Sequence, residues 1–97
     1  MPARNRKLTV AKANLGAFVR EIGVRFKDLN QNSRLNIRLN IKTGVPELYF
    51  DSEVINTVIN NLMSNAIKYT PEGSITLSLT MPEDNTVAIA VEDTGYG

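Results

Sequence analysis

The sequence predicts an α+β fold, a two-layer α/β sandwich with helices on one face of a mostly antiparallel sheet. Three observations point there. Two segments carry apolar residues at helical spacing, residues 35–41 and 75–81 alternate apolar and polar while Val87, Ile89 and Val91 recur two apart, and the order reads strand, helix, strand, strand, helix, strand, strand. Helices that bury one stripe against one face of a sheet give this architecture.

The first element, from Lys7 to Ala13, has Leu8 and Val10 two apart and reads as a short strand. Asn14 is placed to cap the helix that follows. There Leu15, Phe18, Val19, Ile22, Phe26 and Leu29 form one amphipathic stripe. Asn30-Gln31-Asn32-Ser33 ends it. Leu35, Ile37, Leu39 and Ile41 alternate with Asn36, Arg38 and Asn40, as a half-buried strand does. Thr43-Gly44-Val45-Pro46 turns the chain into a short strand from Glu47 to Phe50. Asp51 caps a second helix, expected to reach about Tyr69 and to stop at Thr70-Pro71-Glu72-Gly73. Ile75, Leu77, Leu79 and Met81, then Val87, Ile89 and Val91, predict an antiparallel hairpin with the four-residue loop Pro82-Glu83-Asp84-Asn85.

Composition narrows the chemistry. The chain has 97 residues, enough for one small domain spanning 1–97, and 42% of them are hydrophobic and 22% charged, as in ordinary globular proteins. A net charge of +1 gives no field for nucleic acid, so no nucleic-acid partner is expected. Cysteine is absent, which removes disulfides and thiolate metal sites; histidine is absent, which removes His-based acid–base catalysis and His-ligated metals. No apolar run approaches the roughly 20 residues that span a bilayer.

The second helix carries two stripes. At about 100° per residue, Ile55, Val58, Ile59, Leu62, Met63, Ala66 and Ile67 fill one arc, expected to face the sheet. Asn61, Asn65 and Lys68 form a short row beside it. Asparagine is a mediocre helix former, yet Asn56, Asn60, Asn61 and Asn65 all lie here. Spacing leaves two readings open. The row can offer amide oxygens to a hard cation such as Mg²⁺, with a lysine for phosphate, or it can be an Asn-rich solvated face. Asp93 poses a similar choice. It continues the parity of Val87, Ile89 and Val91, so its carboxylate is expected to point inward with them, where burial is costly without a hydrogen-bond donor. Gly95 and Gly97 follow, leaving room for a flat ligand such as adenine. The alternative is a strand end where Asp begins a turn, and Asp-x-Gly-x-Gly alone favours that alternative. An Asp93 that faced solvent would favour an unrelated α+β domain.

Taken together, the pieces resemble a known family. Asn61-Leu62-Met63-Ser64-Asn65-Ala66-Ile67-Lys68-Tyr69-Thr70-Pro71-Glu72-Gly73 resembles the N box of sensor histidine kinases, and Glu92-Asp93-Thr94-Gly95-Tyr96-Gly97 resembles their first glycine box. The hairpin-length spacing between them fits as well. The resemblance implies the front portion of an ATP-binding α/β sandwich of the Bergerat type. It implies that Asn61 and Asn65 hold Mg²⁺, that Lys68 meets a phosphate, that Tyr69 lies along the nucleotide, that Asp93 accepts from the adenine amino group, and that Gly95 and Gly97 shape the pocket. No residue of this chain is expected to act as a catalytic acid or base. ATP hydrolases of the same fold, such as DNA gyrase and MutL, place a glutamate four residues before the Mg²⁺-binding Asn. Here that position is Asn61, and an amide cannot serve as a general base.

The implied partners are ATP, a histidine-bearing dimerisation domain of the same protein and a response regulator. The implied location is cytoplasmic, within a membrane-anchored bacterial sensor. The family's ATP lid and second glycine box lie beyond the first glycine box and are not in this sequence. The chain is therefore expected to hold ATP weakly, to transfer no phosphoryl group alone, and to self-associate through an exposed sheet edge. The competing expectation is a non-catalytic binding fragment.

Overall fold

The computed structural model describes residues 9–94. The elements follow the predicted order: β1 (Ala11–Ala13), α1 (Leu15–Leu29), β2 (Leu35–Ile41), β3 (Leu48–Phe50), α2 (Ser52–Tyr69), β4 (Gly73–Glu83) and β5 (Thr86–Asp93). Lys7 and Leu8, predicted to open the first strand, lie outside the described residues.

Each helix starts at the predicted cap. Asn14 Oδ1 accepts from Ala17 N–H at 3.0 Å, and Asp51 Oδ1 accepts from Glu53 and Val54 N–H at 3.0 and 3.3 Å. These side chains satisfy amides that a first helical turn otherwise leaves without partners.

The strands divide into two sheets rather than one. β1 and β3 form an antiparallel ribbon, and the larger sheet has the order β2-β4-β5. β4 and β5 are antiparallel, but β2 and β4 run parallel from Leu35↔Gly73 to Ile41↔Leu79. The crossover through β3 and α2 brings the chain back to the end where β2 began, as a parallel pair requires. Two of the three pairings are therefore antiparallel, within an α+β fold of two helices and mixed sheets.

Both helices pack on the larger sheet and touch each other. The core joins Leu15, Val19 and Ile22 of α1, Leu35 and Ile37 of β2, Ile59 and Met63 of α2, and Ile75, Leu77 and Leu79 of β4. The predicted stripe of α1 overruns this contact: Leu29, in the last turn, is 71% exposed. Phe18 and Phe50 meet at 5.6 Å between ring centroids, joining the ribbon to α1.

The hairpin turn is tighter than predicted. β4 continues through Pro82 to Glu83, which pairs with Thr86, leaving Asp84-Asn85 as the loop. The register shifts between Thr80 and Glu83, around Met81 and Pro82. Proline has no N–H for the ladder and is accommodated at such irregularities. Asn85 turns the chain with φ 64°, a left-handed conformation that asparagine tolerates.

Candidate nucleotide site

The site is built on the outer end of α2 and the last residues of β5. α2 is held by Ile59 and Met63, both fully buried, with Ile55, Ala66 and Ile67 half-buried beside them. Val58 and Leu62 were expected to face the sheet but are 45% and 39% exposed. The apolar arc is wider than the surface that covers it, because β5 is an edge strand of this sheet among the described residues.

Leu62 instead lines a shallow, open depression of about 230 Å³ with Asn65, Ala66, Tyr69, Val91 and Asp93. Asn65 and Tyr69 are one helical turn apart and face it from α2. Val91 and Asp93, two apart on β5, face it from the sheet. Asp93 therefore shares a site with α2, as its parity with Val91 implies. Its carboxylate is exposed, however, and not buried as expected. β5 ends there, at the sheet edge, where α2 leaves the depression uncovered.

The rest of the predicted row lies outside this lining. Asn61, Asn65 and Lys68 are all exposed on α2, but only Asn65 borders the depression. Lys68 Nζ stands 5.4 Å from the Tyr69 ring centroid, within range of a cation–π contact. Asn56 and Asn60 form a separate pair, with Asn60 Nδ2 donating to Asn56 Oδ1 at 2.9 Å and to Asn56 O at 2.6 Å. Those two asparagines are half-buried and satisfied, a structural use of the amides. Gly95 and Gly97 lie outside the described residues.

Sequence reasoning missed five contributors. Leu62, Ala66 and Val91 supply apolar walls, and were read only as core. Thr94 locks the end of β5: its N–H donates to Ser74 O at 3.0 Å, and its Oγ1 accepts from Ser74 N–H at 2.9 Å. The cross-strand distance of 20 residues hides this bond from any local pattern. Asn32, in the loop after α1, donates from Nδ2 to Pro71 O, just past α2.

Chemically, the depression sets an amide and a carboxylate on opposite walls with apolar surface between them. Such a site can hold a flat, partly apolar ligand and orient its polar edges.

Known proteins are similar to this chain in sequence and in fold. Residues 50–97 match the family described as histidine kinase-, DNA gyrase B-, and HSP90-like ATPase. The adaptive-response sensory kinase SasA of Microcystis aeruginosa is 39% identical over 88 residues, which cover 90% of this chain and 23% of that kinase. The structure of full-length ShkA in complex with AMPPNP superimposes with a TM-score of 0.83 at 20% identity, covering 96% of this chain and 20% of that one. Histidine kinase ThkA, in complex with the response regulator protein TrrA, gives a TM-score of 0.75 at 24% identity over 89% of this chain and 26% of that one. At these identities the two structures speak for the fold. With the N-box helix, the mixed sheet and these matches on one chain, it belongs to the ATP-binding domain family of the sensor histidine kinases.

Proposed function

We propose that this chain is the front portion of the catalytic domain of a two-component sensor histidine kinase, and that its depression receives the adenine end of ATP. The observation that carries the reading is the pairing of Asn65 on α2 with Asp93 on β5 across Leu62, Ala66 and Val91. An adenine ring is flat and apolar on its faces, with an amino group at one edge. The Asp93 carboxylate is the acceptor for that amino group, and the three apolar side chains meet the faces of the ring. By the resemblance, Gly95 and Gly97 would shape this end of the pocket.

The polar row of α2 belongs to the phosphates. Asn65, with Asn61 one turn before it, offers amide oxygens, the hard donors that Mg²⁺ accepts alongside water. Among the described residues, no group of three or more His, Cys, Asp or Glu could hold a metal. When bound, Mg²⁺ neutralises phosphate charge. Lys68 would meet a phosphate oxygen, and Tyr69 would lie along the nucleotide. The whole protein would then pass the γ-phosphoryl group to a histidine nitrogen on its neighbouring helical domain, and from there to a response regulator. The present chain contains no histidine and supplies binding and orientation only.

A depression of about 230 Å³ is smaller than the roughly 300–1,000 Å³ of ordinary small-molecule sites. That favours weak binding by this chain and keeps a second reading in view, a non-catalytic interaction fragment. Calorimetric titration with MgATP, ADP and GTP separates the two. Weak adenine-selective binding, lost in Asp93→Ala and weakened by at least tenfold in Asn65→Ala, supports the kinase reading. Both residues are exposed, so the melting temperatures should move little. Equal affinity for ATP and GTP, or binding unaffected by Asp93→Ala, sinks it. In the full-length parent, both variants should lose autophosphorylation while remaining folded.

A further inference from the structure

The exit of α2 is held from a distance by the loop after α1. Asn32 Nδ2 donates to Pro71 O at 2.8 Å, and Asn32 Oδ1 accepts from Arg34 N–H at 3.0 Å. Both ends of one amide are engaged, which fixes its orientation. Asn30 braces it in turn. Asn30 Oδ1 accepts from Asn32 N–H at 3.1 Å, while Asn30 Nδ2 donates to Leu35 O at 2.8 Å. Gly73 N–H donates to Arg34 O at 3.0 Å, so the two loops meet where β2 and β4 begin their pairing.

Pro71 lies two residues after Tyr69 and three after Lys68, and Thr70 between them is 1% exposed. The turn that ends α2 is thus gripped by a buried side chain on one side and by Asn32 on the other. We propose that Asn32 is a positioning residue: by holding the Pro71 carbonyl, it sets where Lys68 and Tyr69 stand for the phosphates. This rests on the ATP-site reading above. Asn32 touches no ligand in this scheme and acts only through the end of α2.

The test uses the whole 97-residue chain, with Asn32→Asp and Asn32→Ala compared with wild type. An aspartate keeps the acceptor for Arg34 N–H and loses only the donor to Pro71. Alanine controls for the added charge. In the ligand-free proteins, hydrogen exchange at Lys68, Tyr69 and Thr70 should rise about two- to tenfold, the range for one lost hydrogen bond, in both variants. Amides of Glu53 to Ile55, at the other end of α2, should not change. With MgATP, the dissociation constant should rise by a similar factor in both. Unchanged exchange at the end of α2, or a uniform rise over the whole chain, would overturn the proposal, the latter because it would mark a purely structural role. So would increased local exchange with an unchanged MgATP affinity. A wild-type chain that shows no response to MgATP counts against the ATP-site reading, and the ligand-free exchange then decides by itself whether Asn32 holds the helix end.

Discussion

Asp51 joins two pieces of backbone through one carboxylate. Oδ1 caps α2 at Glu53 and Val54, and Oδ2 accepts from Thr9 N–H at 2.8 Å, a residue 42 positions earlier. The cap was legible because Asp directly precedes a helical stripe. The bond to Thr9 was not, because it depends on where β1 lies beside β3. Asp51→Ala should therefore cost more than an ordinary cap, at or above the upper end of about 0.5–2 kcal/mol. Urea unfolding would register this as a lower midpoint with an unchanged slope. Asp93 teaches the converse at the same scale. Parity found its face, but its exposure was decided by the end of β5, which no alternation pattern contains.

At the scale of elements, α1 shows how close packing constrains a helix from outside. Gly23 is buried, and a Cβ there would overlap Leu39 Cδ2 and stand 3.1 Å from Leu77 Cδ2. Alanine gains about 1 kcal/mol of helix propensity over glycine. Overpacking a fixed core costs about 1–3 kcal/mol. Leu77 is fully buried and cannot retreat, so the second effect should win. Gly23→Ala is expected to lower stability by about 1 kcal/mol in chemical denaturation, and Gly23→Val by more. A stabilised alanine variant would mean that Leu39, which is only half-buried, moves aside freely. Glycine is a weak helix former, and the sheet beneath gives Gly23 its reason.

For the molecule as a whole, the sheet order β2-β4-β5 leaves β5 paired on one side among the described residues. Its inner face carries Val87, Ile89 and Val91, all half-buried against the core. A strand with a free ladder and an apolar face is a template for another strand. Sedimentation should therefore show concentration-dependent dimers. Ala88→Lys, a charge on the edge strand, should shift them towards monomer without loss of fold. A strictly monomeric wild type at high concentration would contradict this. No helix among the described residues is long and apolar enough to cross a membrane.

Periodicity and capping depend on neighbours a few residues apart, and these the sequence determined by itself: the seven elements, both N-caps, Ile59 and Met63 as the buried centre of α2, and the α+β class. The N box and glycine box were legible for the same reason, being continuous runs. Which strands share a sheet was decided only in three dimensions, because β1 and β3 have three residues each and too little pattern to choose a partner. The same holds for the site. That Asn65 and Asp93 face one depression while Asn61 and Lys68 stand outside it follows from how α2 packs on β5. That packing joins residues far apart in the chain, and no local spacing encodes it.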